Sequence, residues 1–155
     1  MKKRYLMIVE KAYVKNLLQK SLESVGKFLT YDLDIVVANT FIVDVTNKVL
    51  HLSEKDLKGF EAFCLKNRVV PPHFMKVKDN EQYYKTNGDK IMELVSENSY
   101  DCIINGCDAD ETGHMIFDYT IESLGLDKYP IKQICIVDYS DESIKQKFLS
   151  TSIDD

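Results

Sequence analysis

No segment of the chain approaches the roughly 18 consecutive apolar residues that a helical membrane span needs. At the N-terminus, Met1-Lys2-Lys3-Arg4 leads only into the apolar run from Tyr5 to Val9 before Glu10 interrupts it. That run is shorter than the roughly 7–15-residue core of a secretory signal. The expectation is a cytoplasmic protein with no membrane partner. Cys64, Cys102, Cys107 and Cys135 form no Cys-x-x-Cys pair, and two of them, Cys102 and Cys135, fall in strand-like apolar runs where reduced, buried thiols are expected. His51, His73 and His114 match no zinc spacing with Cys107. Nucleotide-binding glycine signatures, internal repeats, low-complexity stretches and linkers are likewise missing. An excess of positive charge is lacking too. With 25 acids against 20 bases the formal charge is -5, the wrong sign for holding nucleic acid by bulk electrostatics. Any such contact must be local or bridged by a cation.

What is present is a globular balance: 155 residues, 45% apolar and 29% charged, enough for one domain with its own core. Residues 5–9 read as a strand buried on both faces. Val14, Leu17, Leu18, Leu22 and Val25 then trace one helical stripe, with Gly26 placed to end it. Residues 35–52 hold three β-rich pieces, at 35–38, 41–45 and 49–52, with a turn near Asn47. Residues 53–80, containing Pro71-Pro72, read as a partly helical insertion and an extended connector. Tyr84, Ile91, Met92 and Val95 share the next helical face, which closes near Asn98. A strand over 100–105 follows, then Gly106 and an acidic loop. Met115, Ile116, Tyr119, Ile121 and Leu124 mark a helix ended by Gly125; residues 131–137 read as a strand, and Ile144 with Phe148 as a last helix. Strands alternating with helices imply an α/β fold with a mainly parallel central sheet flanked by helices.

In such sheets ligands collect beyond the carboxyl ends of the strands. Glu10 directly follows the first strand, and Asp108, Asp110 and Glu111 follow the strand over 100–105. Carboxylates gathered in one crevice repel one another unless a cation neutralises them, and an all-oxygen cluster suits Mg²⁺ or Mn²⁺. In an extended loop the two carboxylates of Asp-x-Asp project the same way and can reach one ion. An isolated Asp-x-Asp is common in turns and caps; its place after a strand, before a helix and opposite a second acid is what gives it weight. Charge is also segregated. Residues 1–20 carry six bases and one acid, whereas residues 100–127 carry seven acids and neither lysine nor arginine. A basic N-terminal segment able to follow a phosphate backbone is therefore expected beside an acidic, cation-binding edge.

Leu6-Met-Ile-Val-Glu-Lys-Ala-Tyr-Val-Lys15 resembles the opening of type IA DNA topoisomerases, a hydrophobic strand ending in Glu and then Lys or Ser before a helix. Ile103-Ile-Asn-Gly-Cys-Asp-Ala-Asp-Glu-Thr-Gly113 resembles the second signature of the same Toprim domain. The resemblance implies a single Toprim (Rossmann-like) domain over residues 1–155, with a poorly matched insertion at about 35–80. Carried over by position, Glu10 is the general acid or base. Asp108 and Asp110 bind Mg²⁺ (or Mn²⁺), Lys11 lies near the DNA phosphate, and Gly113 allows a tight entry into the following helix.

The family usually reads Asp-x-Asp-Arg-Glu-Gly. Here Glu111 stands where the arginine would be and Thr112 where the third acid would be, which makes Glu111 the remaining candidate ligand. The tyrosine nucleophile of type IA enzymes lies on a separate domain. The implied function is thus a Mg²⁺-dependent module for cleaving and religating DNA, with single-stranded DNA and a tyrosine-bearing topoisomerase domain, in cis or in trans, as partners. A stand-alone Toprim nuclease or primase relative, or a degenerate nucleic-acid-binding module, is the alternative.

Overall fold

The computed structural model describes residues 1–38 and 81–150. The expected strands at 41–45 and 49–52, the insertion at 53–80, Cys64, His51, His73 and the Pro71-Pro72 connector lie outside the described residues. Within them the order is β1 (Lys3–Val9), α1 (Ala12–Glu23), a short 3-10 turn (Gly26–Phe28), β2 (Tyr31–Val37), α2 (Glu81–Glu97), β3 (Cys102–Asn105), α3 (Glu111–Ser123), β4 (Ile131–Gln133) and α4 (Asp141–Ser150). The four described strands form one sheet in the order β2-β1-β3-β4, every pair parallel. The expected α/β architecture, a parallel sheet between helices, is the one observed.

Parallel strands covered on both faces must be apolar at consecutive positions, and β1 is. Its side chains alternate between two cores. Tyr5, Met7 and Val9 join Val14, Leu18 and Leu22 of α1 and Ile144 and Phe148 of α4. Leu6 and Ile8 face the other way, into a core shared with Ile91 of α2 and Ile116, Phe117 and Ile121 of α3. Two helices therefore cover each face. Leu6, Met7, Ile8 and Val9 are all fully buried, which makes β1 the spine of the domain.

Several local expectations are corrected. β2 begins at Tyr31, four residues before the apolar run that signalled it. Aspartate disfavours strands, yet Asp34 is tolerated because its Oδ2 accepts hydrogen bonds from Arg4 Nε at 2.9 Å and the Tyr100 hydroxyl at 2.7 Å. Those bonds tie β1, β2 and the approach to β3 together at the end of the sheet opposite Glu10. β4 stops at Gln133 rather than 137 because its partner β3 ends at Asn105, whose carbonyl accepts the last ladder bond from Ile134. Cys135, beyond that point, is exposed, while Cys102 and Cys107 are buried. Met92 also turns outward, 39% exposed, and Ile91 carries the buried contact of α2. Gly125 ends α3 with φ +65° as expected, whereas Gly26 adopts no left-handed conformation and starts the 3-10 turn.

Truncating the spine should cost far more than truncating a surface apolar residue. Ile8→Ala should lower stability by about 2–5 kcal/mol, and Met92→Ala by less than about 1 kcal/mol, read as shifts of the urea midpoint at unchanged slope.

Candidate functional site

The strand order places β1 and β3 side by side although their following segments diverge: α1 leads from β1 to β2 on one side, and α3 leads from β3 to β4 on the other. This is the topological switch point of an open parallel sheet, where a crevice forms beyond the strand ends. The register sets its contents. Ile8 lies opposite Asn105, and the same offset carried three residues further brings Lys11 to Asp108.

Two close approaches hold the loop between β3 and α3. The Gly106 amide donates to the Ile8 carbonyl at 2.9 Å, and a Cβ on Gly106 would strike the Met7 side chain. The Asn105 side-chain oxygen accepts from the Cys107 amide at 3.0 Å, and the Cys107 thiol points back at the Ile8 carbonyl at 3.8 Å. At the far end of the loop, a Cβ on Gly113 would collide with the Asp108 backbone, lying 2.8 Å from its carbonyl carbon. Only glycine fits there, which is the physical content of the Gly113 expectation. Asp110 is the N-cap of α3, its Oδ1 accepting from the Gly113 amide at 2.7 Å.

Glu10 is 8% exposed, and its Oε2 is buried without a hydrogen-bond partner. Burial first, then the charge of Asp108 and a hydrogen bond with it, and last the charge of Asp110, push the Glu10 carboxyl up to about 7; Lys11 opposes them. Near neutral pH, Glu10 therefore divides its time between acid and carboxylate. Lys11 Nζ stands 3.4 Å from Asp108 Oδ2, and the charges of Asp108 and Glu10 raise its pKa. The Cys107 thiol is pushed up strongly, by burial first and then by the surrounding carboxylates, so it stays protonated and inert.

The structure thus brings Glu10, Lys11 and Asp108 together. Asp110 contributes its charge from a capping position, with one oxygen already engaged, and Glu111 is exposed in the first turn of α3. Among the described residues no group of three or more metal-type side chains is gathered tightly enough to cage an ion. Mg²⁺ does not require such a cage, because it keeps several waters and is commonly held by one or two carboxylates together with substrate phosphate oxygens. Asp108, with the uncommitted oxygen of Asp110 close by, fits that mode of binding, and Glu10 lies beside it.

Sequence reasoning gave Tyr139 no part in this crevice. The Tyr139 hydroxyl is raised by burial and then by the charges of Asp108, Tyr13, Cys135 and Glu10, so it feels the field of the crevice. Tyr139 lies in a loop distant in sequence from either signature, so only the path of the chain after β4 reveals it. On the other side, His114 Nε2 lies 3.4 Å from Gln133 Nε2, linking the first turn of α3 to the end of β4.

A carboxyl whose folded pKa lies above its unfolded value stabilises fully below the unfolded value and loses that contribution as pH rises through the folded one. For Glu10 the window runs from 4.5 to about 7. Stability should fall across it by about 1–2 kcal/mol from this group, allowing for screening in an open crevice. Glu10→Gln keeps a donor for Asp108 without the charge. Urea midpoints should therefore show the variant more stable than the parent at about pH 8 and equal to it at about pH 4. No model of a known protein family matches the chain and no curated protein matches it, so the chemistry is read from this crevice.

Proposed function

We propose that the crevice supports Mg²⁺-assisted phosphodiester chemistry on DNA, the activity implied by the resemblance of the two loop signatures to the Toprim domain of type IA topoisomerases. The observation that carries the reading is the pairing of Glu10 with Asp108 at the switch point, with Glu10 Oε2 buried and unpartnered. Asp108 would hold the cation, with the second oxygen of Asp110 and the nearby Glu111 as further candidates, and Glu10 stands beside it to carry the proton. When bound, the cation offsets phosphate charge and orients the phosphate.

The remaining work falls to side chains. Glu10, whose carboxyl titrates close to neutrality, gives a proton to the sugar oxygen that leaves phosphorus and recovers it when that oxygen attacks again. Its burial keeps water from competing for that proton. Lys11 supplies a fixed positive charge to the phosphate, and its exchange of Asp108 for phosphate is a short movement because its side chain is solvent-accessible. Asp110 holds the loop by capping α3. A nucleophile for the strand break comes from outside this set: the reading calls for a tyrosine-bearing topoisomerase domain in cis or in trans.

Calorimetric titration of the metal-free chain with Mg²⁺ should show binding that strengthens between about pH 6 and pH 8, because loss of the Glu10 proton adds a negative charge beside the ion. Asp108→Asn should weaken it at least tenfold. Binding that is independent of pH and indifferent to Asp108→Asn would remove the reading. With metal bound, single-stranded DNA should be cleaved only when a tyrosine-bearing fragment is added, and Glu10→Gln should abolish that cleavage. Cleavage by the chain alone would instead favour a stand-alone nuclease.

A further inference from the structure

Two tyrosines stand at the mouth of the crevice without a part in the proton chemistry. Tyr13 lies in the first turn of α1, three residues past Glu10, and is 58% exposed. Tyr139 is anchored: it packs against the core containing Val9, Val14 and Ile134. One ring is therefore in solvent and the other held by the core.

From Tyr13 a solvent-facing stripe continues along α1 through Asn16, Leu17 and Lys20, at spacings of three, four and seven. Leu17 is 39% exposed. Neither Tyr13 nor Leu17 belongs to either hydrophobic core. The sequence from Lys11 to Leu22 contains lysines and not one acid. The acid that reaches Lys20 from the neighbouring helix, Asp141, is already bound to Lys145 at 2.7 Å and to Ser21. An exposed aromatic ring at the head of a helix whose only acid is Glu23 at its far end pairs a stacking surface with a track for phosphates, the combination that recognises unpaired nucleic acid. A duplex would present its phosphates to the track but keep its bases stacked away from the ring.

We propose that Tyr13 stacks on an unpaired nucleobase, with Lys11 and Lys20 following the phosphates of a single strand that enters the crevice. This rests on the phosphodiester reading above and adds to it the residues that position the substrate. Tyr13 is a positioning residue: it holds a base so that the adjoining phosphate lies against Glu10 and Lys11.

The chain contains no tryptophan, so Tyr13→Trp places a single tryptophan, excited selectively beyond the tyrosine band, at the proposed contact. Without divalent cations, an oligothymidylate should quench that emission, and an abasic oligonucleotide with the same number of phosphates should not. Tyr13→Ala should weaken oligothymidylate binding by about 5–50-fold, leave abasic binding within about twofold, and be rescued by Tyr13→Phe. Absence of quenching, equal affinity for the abasic strand, or an unchanged affinity in Tyr13→Ala would each overturn the proposal. Titration with Mg²⁺ alone reads the carboxylates separately. A chain that binds Mg²⁺ through Asp108 but ignores the base loses the stacking role and keeps the phosphodiester reading. One that stacks bases without binding Mg²⁺ does the reverse.

Discussion

Everything distinctive about this molecule depends on the parallel pairing of β1 with β3. The two strands are separated by most of the chain, yet their hydrogen-bonded register sets Ile8 opposite Asn105, and the loops that leave them diverge at once. That single pairing decides which side chains meet beyond the strand ends. Shifting it by one residue would exchange the two faces of β1, burying Leu6 and Ile8 where Met7 and Val9 now pack and turning the Glu10 carboxyl away from Asp108. The full burial of four consecutive β1 side chains makes such a slip costly, so the hydrophobic core is also what keeps the acidic pair aligned.

Holding two carboxylates in contact works against stability, and the domain accommodates this in a graded way. Lys11 balances part of the charge from the open side, a proton on Glu10 balances part of it from within, and Asp110 is moderated by its place at the positive end of α3. A cation held by Asp108 would add a further counter-charge. The glycines on either side of the loop, Gly106 against Met7 and Gly113 against the Asp108 backbone, leave the loop little room to relax away from that arrangement. Packing thereby carries an electrostatic cost that the loop, left to itself, would relieve by moving apart.

Much of this was legible in the sequence for simple reasons. Continuous apolar runs marked β1 and β3 because parallel strands are buried on both faces, and Gly125 marked the end of α3 because few other residues adopt its positive φ. Glu10 and Asp108 were legible from their position just beyond strands, and Gly113 from the resemblance of its loop to the second Toprim signature. Long-range partnership was not. Asp32 and Asp34 concealed the start of β2, since nothing in the local pattern shows that Arg4 and Tyr100 satisfy Asp34. The apolar run containing Cys135 suggested a longer strand than its short partner could pair. The Asp-x-Asp pattern indicated two equivalent ligands, whereas the fold assigns Asp108 to the crevice and commits one oxygen of Asp110 to a helix cap. Tyr139 carried no local signal at all.

The central claim is that Glu10 and Asp108 form a coupled pair whose proton leaves near neutral pH. Carboxyl-carbon NMR of the metal-free chain, with glutamate labelled and the Glu10 resonance assigned through Glu10→Gln, measures this directly. The account predicts a Glu10 midpoint near 7 that moves toward the ordinary 4.5 in Asp108→Asn. A Glu10 midpoint at the ordinary value in the parent chain, unmoved by Asp108→Asn, would contradict it.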